Sequence, residues 1–504
     1  MSSANIFILI AIIAYLIAMV IVGVVCSKKN NDVDDFYLGG RKLGPLVTAM
    51  SAEASDMSGW LLMGMPGLAY LCGIAEASWT AIGLAIGTYL NWLIVAKRLR
   101  NYSSKIGAIT IPDFFMKRYK DNTNILIIAA AVMIIIFFIP YTASGFSTCG
   151  KLFSSLFGID YHVAMVISAV VIVLYTSLGG FLAASTTDFI QSIIMTIALV
   201  VVLVFGINVA GGWNVVVENA KSIPNYLSLT STTDGAGNFV DFSGLTIVST
   251  LAWGLGYFGM PHILLRFMAI EDPKKIKTSR RVASVWVVIA MSIAIIIGMV
   301  GLAMSKVESS MVLADSETVI VAISSLLSKH GAFFALVAGL ILAGILASTM
   351  STADSQLLAA ASAISQDITV GTFKANLSSK TKMLIARATV IFIAVLGVVF
   401  AWNPNSSVFR IVSFAWAGFG ATFGPLILFS LFWKRTNKWG AMAGMISGGV
   451  TVIAWHYASG GIFALYELLP AFLISCIFIV VVSLLTKKPE QEILDEFDEV
   501  KQMN

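Results

Sequence analysis

Charged side chains are scarce in this sequence. Asp, Glu, Lys and Arg make up 12% of its 504 residues, against about 25% in a typical soluble domain. Hydrophobic residues make up 58%. A soluble fold of this length needs far more charge to cover its surface. The composition therefore excludes a soluble multi-domain enzyme, a disordered chain, a fibrous protein and a nucleic-acid-binding domain.

Residues that bind transition metals or form disulfides are also few. The four cysteines lie in or beside apolar stretches without a CxxC or CxxxH spacing, and the four histidines are scattered along the chain. We interpret the cysteines as small buried hydrophobic side chains. Because HExxH and GxSxG motifs are missing as well, the sequence does not predict an enzyme.

Long apolar runs, in contrast, are abundant. A membrane-spanning helix needs about 20 apolar residues. Thirteen segments satisfy this requirement: 5–26, 45–71, 74–96, 122–150, 161–179, 184–208, 243–265, 283–305, 331–363, 383–402, 407–433, 439–458 and 461–486. The first segment has no basic residue before it and no A-x-A site after it, which favours a retained helix over a signal peptide.

The basic residues indicate how these segments are oriented. With the N-terminus outside, 27 of the 32 Lys and Arg residues fall on the inner side and 5 on the outer side. Cytoplasmic loops are enriched in Lys and Arg. We therefore predict a multi-pass protein of the cell membrane with its N-terminus outside and its C-terminus in the cytoplasm. The outer loop 306–330 is predicted to hold a short surface helix.

The second predicted span contains two acids, Glu53 and Asp56, among serines and glycines. A Ser/Gly packing interface would explain the small residues but not the acids. A broken helix that lines a cavity explains both, because unwound carbonyls can bind a cation and the new helix start can bind an anion. We expect that start near Ser58 and Gly59.

The seventh predicted span is interrupted by Gly254, Gly256, Gly259 and Pro261 within a few residues. This spacing predicts a second unwound segment, with the interleaved aromatic side chains lining the gap. A simple proline kink among core aromatics is the alternative.

The ninth predicted span has a polar stripe. Ser348, Ser351, Thr352 and Ser355 recur on one helical face, next to the acid Asp354. A stripe of oxygen atoms suits a hard cation such as sodium. Bonding of the hydroxyls back to the carbonyls of their own helix is the alternative.

The two breaks are five spans apart, which suggests two inverted five-helix repeats. The predicted membrane transporter domain covers 1–486. It comprises an extra first helix (5–26), the two repeats (45–208 and 243–433) and two additional helices (439–486), and a cytoplasmic tail (487–504) follows. The arrangement predicts a sodium-coupled symporter of a small zwitterion. A channel or a membrane sensor is the alternative, but no repeated filter loop and no output domain are found.

The sequence resembles the solute:sodium symporter family over nearly its whole length. The matching stretches are Tyr37 to Arg41, Ala54 to Trp60, Trp253 to His262, Met350 to Thr352 and Ala415 to Gly420. The resemblance implies an all-α leucine-transporter-like fold with thirteen transmembrane helices. It also implies sodium-coupled uptake of L-proline across the lipid bilayer by alternating access, with no nucleic acid and no required protein partner. Another small solute (another amino acid, betaine or sialic acid) is the alternative.

The resemblance also implies site residues. Sodium would bind the carbonyls of Ala54, Met57 and Ser348 and the hydroxyls of Ser351 and Thr352, with Asp56 supporting the site and Ser58 linked to both ligands. The substrate pocket would include Ser58, Gly59, Gly64, Tyr141, Trp253, Tyr257 and Pro261, and Arg41 would lie on the cytoplasmic side.

Two residues depart from the family pattern. Glu53 stands where glycine is expected, and Asp354 stands where serine is expected. Asp354 and Ser355, with Asp188 at the start of the sixth span, form a candidate second sodium site. Two close carboxylates do not both ionise cheaply without a cation between them. Either a second sodium ion bridges the two acids, or one acid holds a proton, or Asp354 faces a cytoplasmic vestibule. Asp188 could also be an ordinary acid at a helix N-terminus.

Overall fold

The computed structural model describes residues 3–27, 37–233, 238–365, 367 and 378–503. In this part of the chain the helices are α1 (Ser3–Ser27), α2 (Pro45–Gly59), α3 (Met65–Cys72), α4 (Ala75–Leu90), α5 (Ala96–Lys105), α6 (Ile111–Arg118), α7 (Ile125–Phe157), α8 (Tyr161–Val209), α9 (Trp213–Ser222), α10 (Gly244–Leu251), α11 (Pro261–Ala269), α12 (Ile276–Met304), α13 (Val319–Ser328), α14 (Ala332–Ser362), α15 (Ser379–Phe400), α16 (Val408–Phe432), α17 (Lys438–Tyr457), α18 (Leu468–Leu485) and α19 (Gln491–Gln502).

Short irregular helical turns connect several of these helices. Two π-helical turns, Trp60–Gly64 and Asn91–Val95, join α2 to α3 and α4 to α5. A 3₁₀ segment, Ala252–Gly259, joins α10 to α11. Further 3₁₀ turns are Gly39–Arg41, Pro273–Lys275, Ser309–Met311, Ser316–Thr318 and Gly461–Ala464.

Helix starts follow from local side chains. Thr110, Asp160, Ser243, Ser407 and Asn437 precede α6, α8, α10, α16 and α17, and each accepts a hydrogen bond from a backbone amide of the first turn. Such caps satisfy amides that have no partner within the helix.

The predicted segments coincide with helices or pairs of helices of the structure. Within the described residues, eight helices are long and apolar enough to cross a membrane. The two broken segments, 45–71 and 243–265, are not among these eight, because no single helix in them is long enough. The protein is thus a predominantly helical membrane protein.

The fifth and sixth predicted spans form one bent helix, α8. The bend is at Gly180, whose φ of 69° lies in the left-handed region that glycine tolerates best. Asp188 therefore lies two turns inside the second arm of α8, and the interpretation of this residue as a helix N-terminal acid is wrong.

Three further details differ from the sequence-based expectations. The helix predicted on the surface of 306–330 is α13, and it packs into the protein with Val319, Ile320 and Val321 buried. The chain between the third and fourth spans also forms two helices, α5 and α6. In addition, the loop 209–242, which the sequence predicts to be external, contains a small antiparallel hairpin, Ser231–Thr233 with Phe239–Asp241, so the fold is not entirely α-helical.

The 3₁₀ segment packs very closely against α4. A Cβ atom added to Gly87 would lie 2.3 Å from the Gly254 carbonyl oxygen, and one added to Gly254 would lie 2.2 Å from the Gly83 carbonyl oxygen. Glycine is therefore required on both sides of this contact, which brings the second broken helix against the first half of the protein.

Candidate functional site

The break in the second predicted span lies at Ser58. Helix α2 starts with Pro45 in its first turn, but Ser58 has φ 37° and ψ −169°, outside the helical region. The Ser58 hydroxyl accepts a hydrogen bond from the Trp60 amide at 3.1 Å. This bond caps the helical turn that follows the break. The prediction of a broken helix is confirmed.

A group of buried oxygen atoms lies between α2 and α14. The Ser351 hydroxyl donates to the carbonyl of Ala54 at 2.8 Å and lies 3.1 Å from the carbonyl of Ser348, which also accepts from Thr352 at 3.0 Å. Four of the five predicted sodium ligands are therefore close together. The fifth predicted ligand, the Met57 carbonyl, instead accepts a hydrogen bond from the backbone amide of Trp60, just after the break.

Two tyrosines contact Asp56, which lies two residues before the break. The Tyr257 hydroxyl donates to Asp56 Oδ2 at 2.7 Å, and the Tyr141 hydroxyl donates to the Asp56 carbonyl at 3.0 Å. All three side chains are buried. Tyr257 comes from the 3₁₀ segment and therefore joins the two broken helices to each other, whereas Tyr141 joins the first broken helix to α7.

An aromatic cluster surrounds Trp253. Its ring lies 5.2 Å from Tyr466, 5.4 Å from Phe409 and 5.6 Å from Trp60, measured between centroids. The Trp416 indole donates to the Trp253 carbonyl at 2.7 Å. Of the residues in this cluster, only Trp253 is among the predicted substrate contacts.

Two polar cavities meet this cluster from the side that the sequence predicts to be external. One has a volume of about 480 Å³, and Gly64, Lys151, Glu317, Phe409 and Arg410 are among its lining residues. The other has a volume of about 390 Å³, and Glu76, Trp253, Arg410, His456 and Tyr466 are among its lining residues. A small solute could reach the aromatic cluster from either cavity.

The remaining predicted substrate residues lie around these groups. Gly59 faces α7, where an added Cβ atom would lie 2.3 Å from the Thr148 hydroxyl oxygen. Gly64 packs on the backbone of Phe409 and borders the first cavity. Pro261 starts α11, at the opposite end of the 3₁₀ segment from Trp253.

The candidate second sodium site is organised by Arg266, a residue that the sequence reasoning missed. Its guanidinium Nη2 lies 3.1 Å from Asp188 Oδ2 and donates to Ser355 at 2.6 Å, while Nε donates to Ser51 at 3.1 Å. Ser51 in turn donates to Asp188 at 2.6 Å. Asp354 is buried and accepts from Ser355 at 3.3 Å. Arg266 therefore supplies a positive charge beside Asp188 and Ser355, two of the three residues of the candidate second sodium site, in which an ion was expected to bridge Asp188 and Asp354.

Together these features define a class of protein. A helix broken at a group of neutral oxygens, a second broken helix that carries aromatic side chains, and polar cavities above them are the architecture of a secondary membrane carrier for an ion and a small solute.

Comparisons with known proteins agree with this class. Residues 36–448 match the model of the sodium:solute symporter family. The osmoregulated proline transporter OpuE of Bacillus subtilis is 43% identical over 96% of this chain and 95% of its own length. The sodium/proline symporter of Staphylococcus aureus is 40% identical over 98% of this chain and 95% of its own length. The structure of a substrate-bound, outward-open Na⁺-coupled sialic acid symporter superimposes with a TM-score of 0.77 at 19% identity, covering 96% of this chain and 99% of that one.

The chain belongs to the sodium:solute symporter family. It is a transporter rather than an enzyme, and its coupling ion is sodium.

Proposed function

We propose that this protein imports L-proline together with sodium by alternating access. The observation that carries this proposal is the group of oxygens from Ala54, Ser348, Ser351 and Thr352 at the helix break. Proline as the solute is supported by the relatives, which are named as proline transporters and are 40% or more identical over almost the whole chain.

Sodium binds between α2 and α14 in this proposal. The ligands are neutral oxygens, and within the described residues no group of three or more His, Cys, Asp or Glu side chains could hold a metal ion. A hard monovalent cation fits such a ligand set. Rotation of the Ser351 and Thr352 hydroxyls away from the carbonyls they now contact would free both kinds of oxygen for the ion. Binding of sodium would then fix α2 against α14.

The substrate lies between the two breaks. Its carboxylate faces the amides that follow Ser58, where the positive end of the helix dipole favours an anion. Its ring and its ammonium group contact Tyr141, Tyr257 and Trp253, because aromatic faces attract cations and pack on apolar rings. Asp56 is then close to both ligands, which links proline binding to sodium binding.

The cytoplasmic side is closed by Arg266 in this proposal. Ser51 and Arg266 belong to α2 and α11, which are parts of the two broken helices, whereas Asp188 and Ser355 belong to α8 and α14. Opening toward the cytoplasm requires the broken helices to separate from these two helices, so the network around Arg266 has to break once in every transport cycle.

We further propose the complete topology: thirteen spanning segments, two inverted five-helix repeats and an external N-terminus. Cysteine labelling tests it. In a cysteine-free background, Asn403→Cys should react with a membrane-impermeant maleimide added to intact cells, and Lys501→Cys should react only after permeabilisation. Both positions are exposed. The opposite pattern would contradict the orientation.

Transport in proteoliposomes tests the function itself. We expect uptake of radiolabelled proline to follow an imposed sodium gradient and to be absent with a proton gradient alone. Unlabelled alanine, glycine betaine, sialic acid and pantothenate serve as competitors. If one of them is transported faster than proline, the solute assignment is wrong while the sodium coupling stands.

Trp253→Ala should weaken proline binding about 10-fold, because the loss of an aromatic face from a cation costs about 0.5–2 kcal/mol. The sodium concentration for half-maximal binding should change less than about 2-fold. Equilibrium binding of labelled proline and sodium to purified protein measures both. Trp213→Ala is the control, since Trp213 is 45% exposed in the outer loop. Equal loss of sodium and proline binding would show that Trp253 is only structural.

A further inference from the structure

Glu53 is a buried acid with no positively charged partner. Its side chain is 1% exposed. The Trp92 indole donates to Oε1 at 3.1 Å, whereas Oε2 is buried without a hydrogen-bond partner among the described residues. Glu53 also forms no ion pair with any described residue. A carboxylate in such surroundings is costly unless a cation accompanies it.

Three other buried acids of the protein do have cations. Glu317 lies 2.6 Å from the Lys151 ammonium group, Asp188 lies 3.1 Å from Arg266, and Asp121 lies 3.0 Å from Lys438. Glu53 is not neutralised in this way, and among the described residues neither is Asp56, which is buried on the same helix.

The surroundings of Glu53 form a closed ring of contacts. Trp92, which binds Glu53, belongs to the same π-helical turn as Asn91. The Asn91 amide nitrogen donates to the Tyr257 carbonyl at 2.8 Å, and the Tyr257 hydroxyl donates to Asp56 at 2.7 Å. Asp56 lies one turn beyond Glu53 on α2. The ring thus returns to the helix where it started.

Oxygen atoms without partners lie on this ring. Besides Glu53 Oε2, the Asn91 side-chain oxygen has no hydrogen-bond partner among the described residues, and the Thr88 hydroxyl lies beside the Tyr257 hydroxyl. Asn91 and Thr88 are 0% and 1% exposed. Carboxylate, amide and hydroxyl oxygens without thiolate or imidazole are a ligand set for a hard cation.

We propose that Glu53, with Asp56, Thr88 and Asn91, binds a second sodium ion. This inference rests on the proposed sodium-coupled function. The second ion lies on the α4 side of α2, whereas the first lies on its α14 side. Two sodium ions would then accompany each solute molecule. The cluster at Asp188 is less suited to this ion, because Arg266 already supplies a positive charge there.

Equilibrium binding of ²²Na⁺ to the purified full-length protein tests the site without any transport step. We expect two ions per wild-type molecule and one per molecule of Glu53→Gln. Asp354→Asn is the matched control, since it removes another buried acid, and it should still bind two ions. Reversal potentials in proteoliposomes should give two sodium ions per proline for the wild type and one for Glu53→Gln.

A second variant keeps the test decisive if Glu53→Gln does not fold. Thr88→Val preserves shape and charge but removes one proposed ligand oxygen. It should weaken binding of the second sodium ion about 10-fold and leave binding of the first unchanged. One ion per wild-type molecule, or two ions with unchanged affinities in both variants, would overturn the inference. Loss of one bound sodium ion in Asp354→Asn rather than in Glu53→Gln would also overturn the inference. The same holds if Glu53→Gln abolishes a pH dependence of uptake without changing the number of bound ions. Failure of the proposed function would be distinguishable, because wild-type protein would then bind no sodium or not transport proline.

Discussion

Simultaneous replacement of Ser351 and Thr352 by Ala is expected to raise the sodium concentration for half-maximal proline uptake at least about 100-fold. An interaction of a hydroxyl with a charged group contributes about 1.5–3 kcal/mol, and each 1.4 kcal/mol is about tenfold in affinity. The double variant keeps the Ala54 and Ser348 carbonyls in the sodium site but removes both hydroxyl ligands. Uptake measured against sodium concentration at saturating proline gives the shift.

Thr349→Ala is the control for this double variant. It removes a hydroxyl from the same helix, but the Thr349 hydroxyl donates at 2.9 Å to the Ile345 carbonyl of its own helix. Its sodium dependence should stay within about 2-fold of the wild type. An unchanged sodium dependence in the double variant would place the ion elsewhere.

Breaking the pair between Arg266 and Asp188 should have the second large effect. Removal of one partner leaves an uncompensated buried charge, which costs about 3–5 kcal/mol. We therefore expect Arg266→Gln and Asp188→Asn each to lower proline uptake at least about 100-fold. The double variant leaves neither charge of this pair uncompensated, so its uptake should recover at least about 10-fold relative to each single variant.

An exposed ion pair serves as the comparison for this cycle. Lys275 lies 2.7 Å from Glu271 and is 49% exposed, so its loss should cost no more than about 1 kcal/mol. Uptake of Lys275→Gln should therefore stay close to that of the wild type. If the double variant at Arg266 and Asp188 is as inactive as the single variants, the two charges act independently and Arg266 does not close the cytoplasmic side through Asp188.

The sequence was sufficient to predict the broken helix at Ser58 and the oxygen stripe on α14. Both are local: acids and glycines within one turn oppose a continuous helix in a membrane, and a polar stripe at helical spacing identifies one face. The grouping of Ser351 with the Ala54 carbonyl was inferred from the resemblance, and the structure places them in contact.

Contacts between distant segments could not be predicted in this way. Arg266 was counted only as a cytoplasmic basic residue, yet it is buried against Asp188 and Ser355. The partners of Trp253 come from Phe409 and Tyr466, more than 150 residues further along the chain. Periodicity gives the face of a helix but not the neighbouring helix that this face contacts. One signal was present: Arg266 is the only Lys or Arg in α11, whose other residues apart from His262 are apolar.

The pair between Arg266 and Asp188 also bears on how the protein is made. Asp188 is synthesised 78 residues before its partner, so its arm of α8 has to enter the bilayer while the acid is still alone. An unpaired acid at the centre of a helix costs about 2.5–3.5 kcal/mol on insertion scales. The long apolar remainder of α8 can offset this cost, but α11 is short and contains an arginine. We therefore expect membrane integration of α11 to depend on α8 already being in place, so that the first half of the carrier guides insertion of the second.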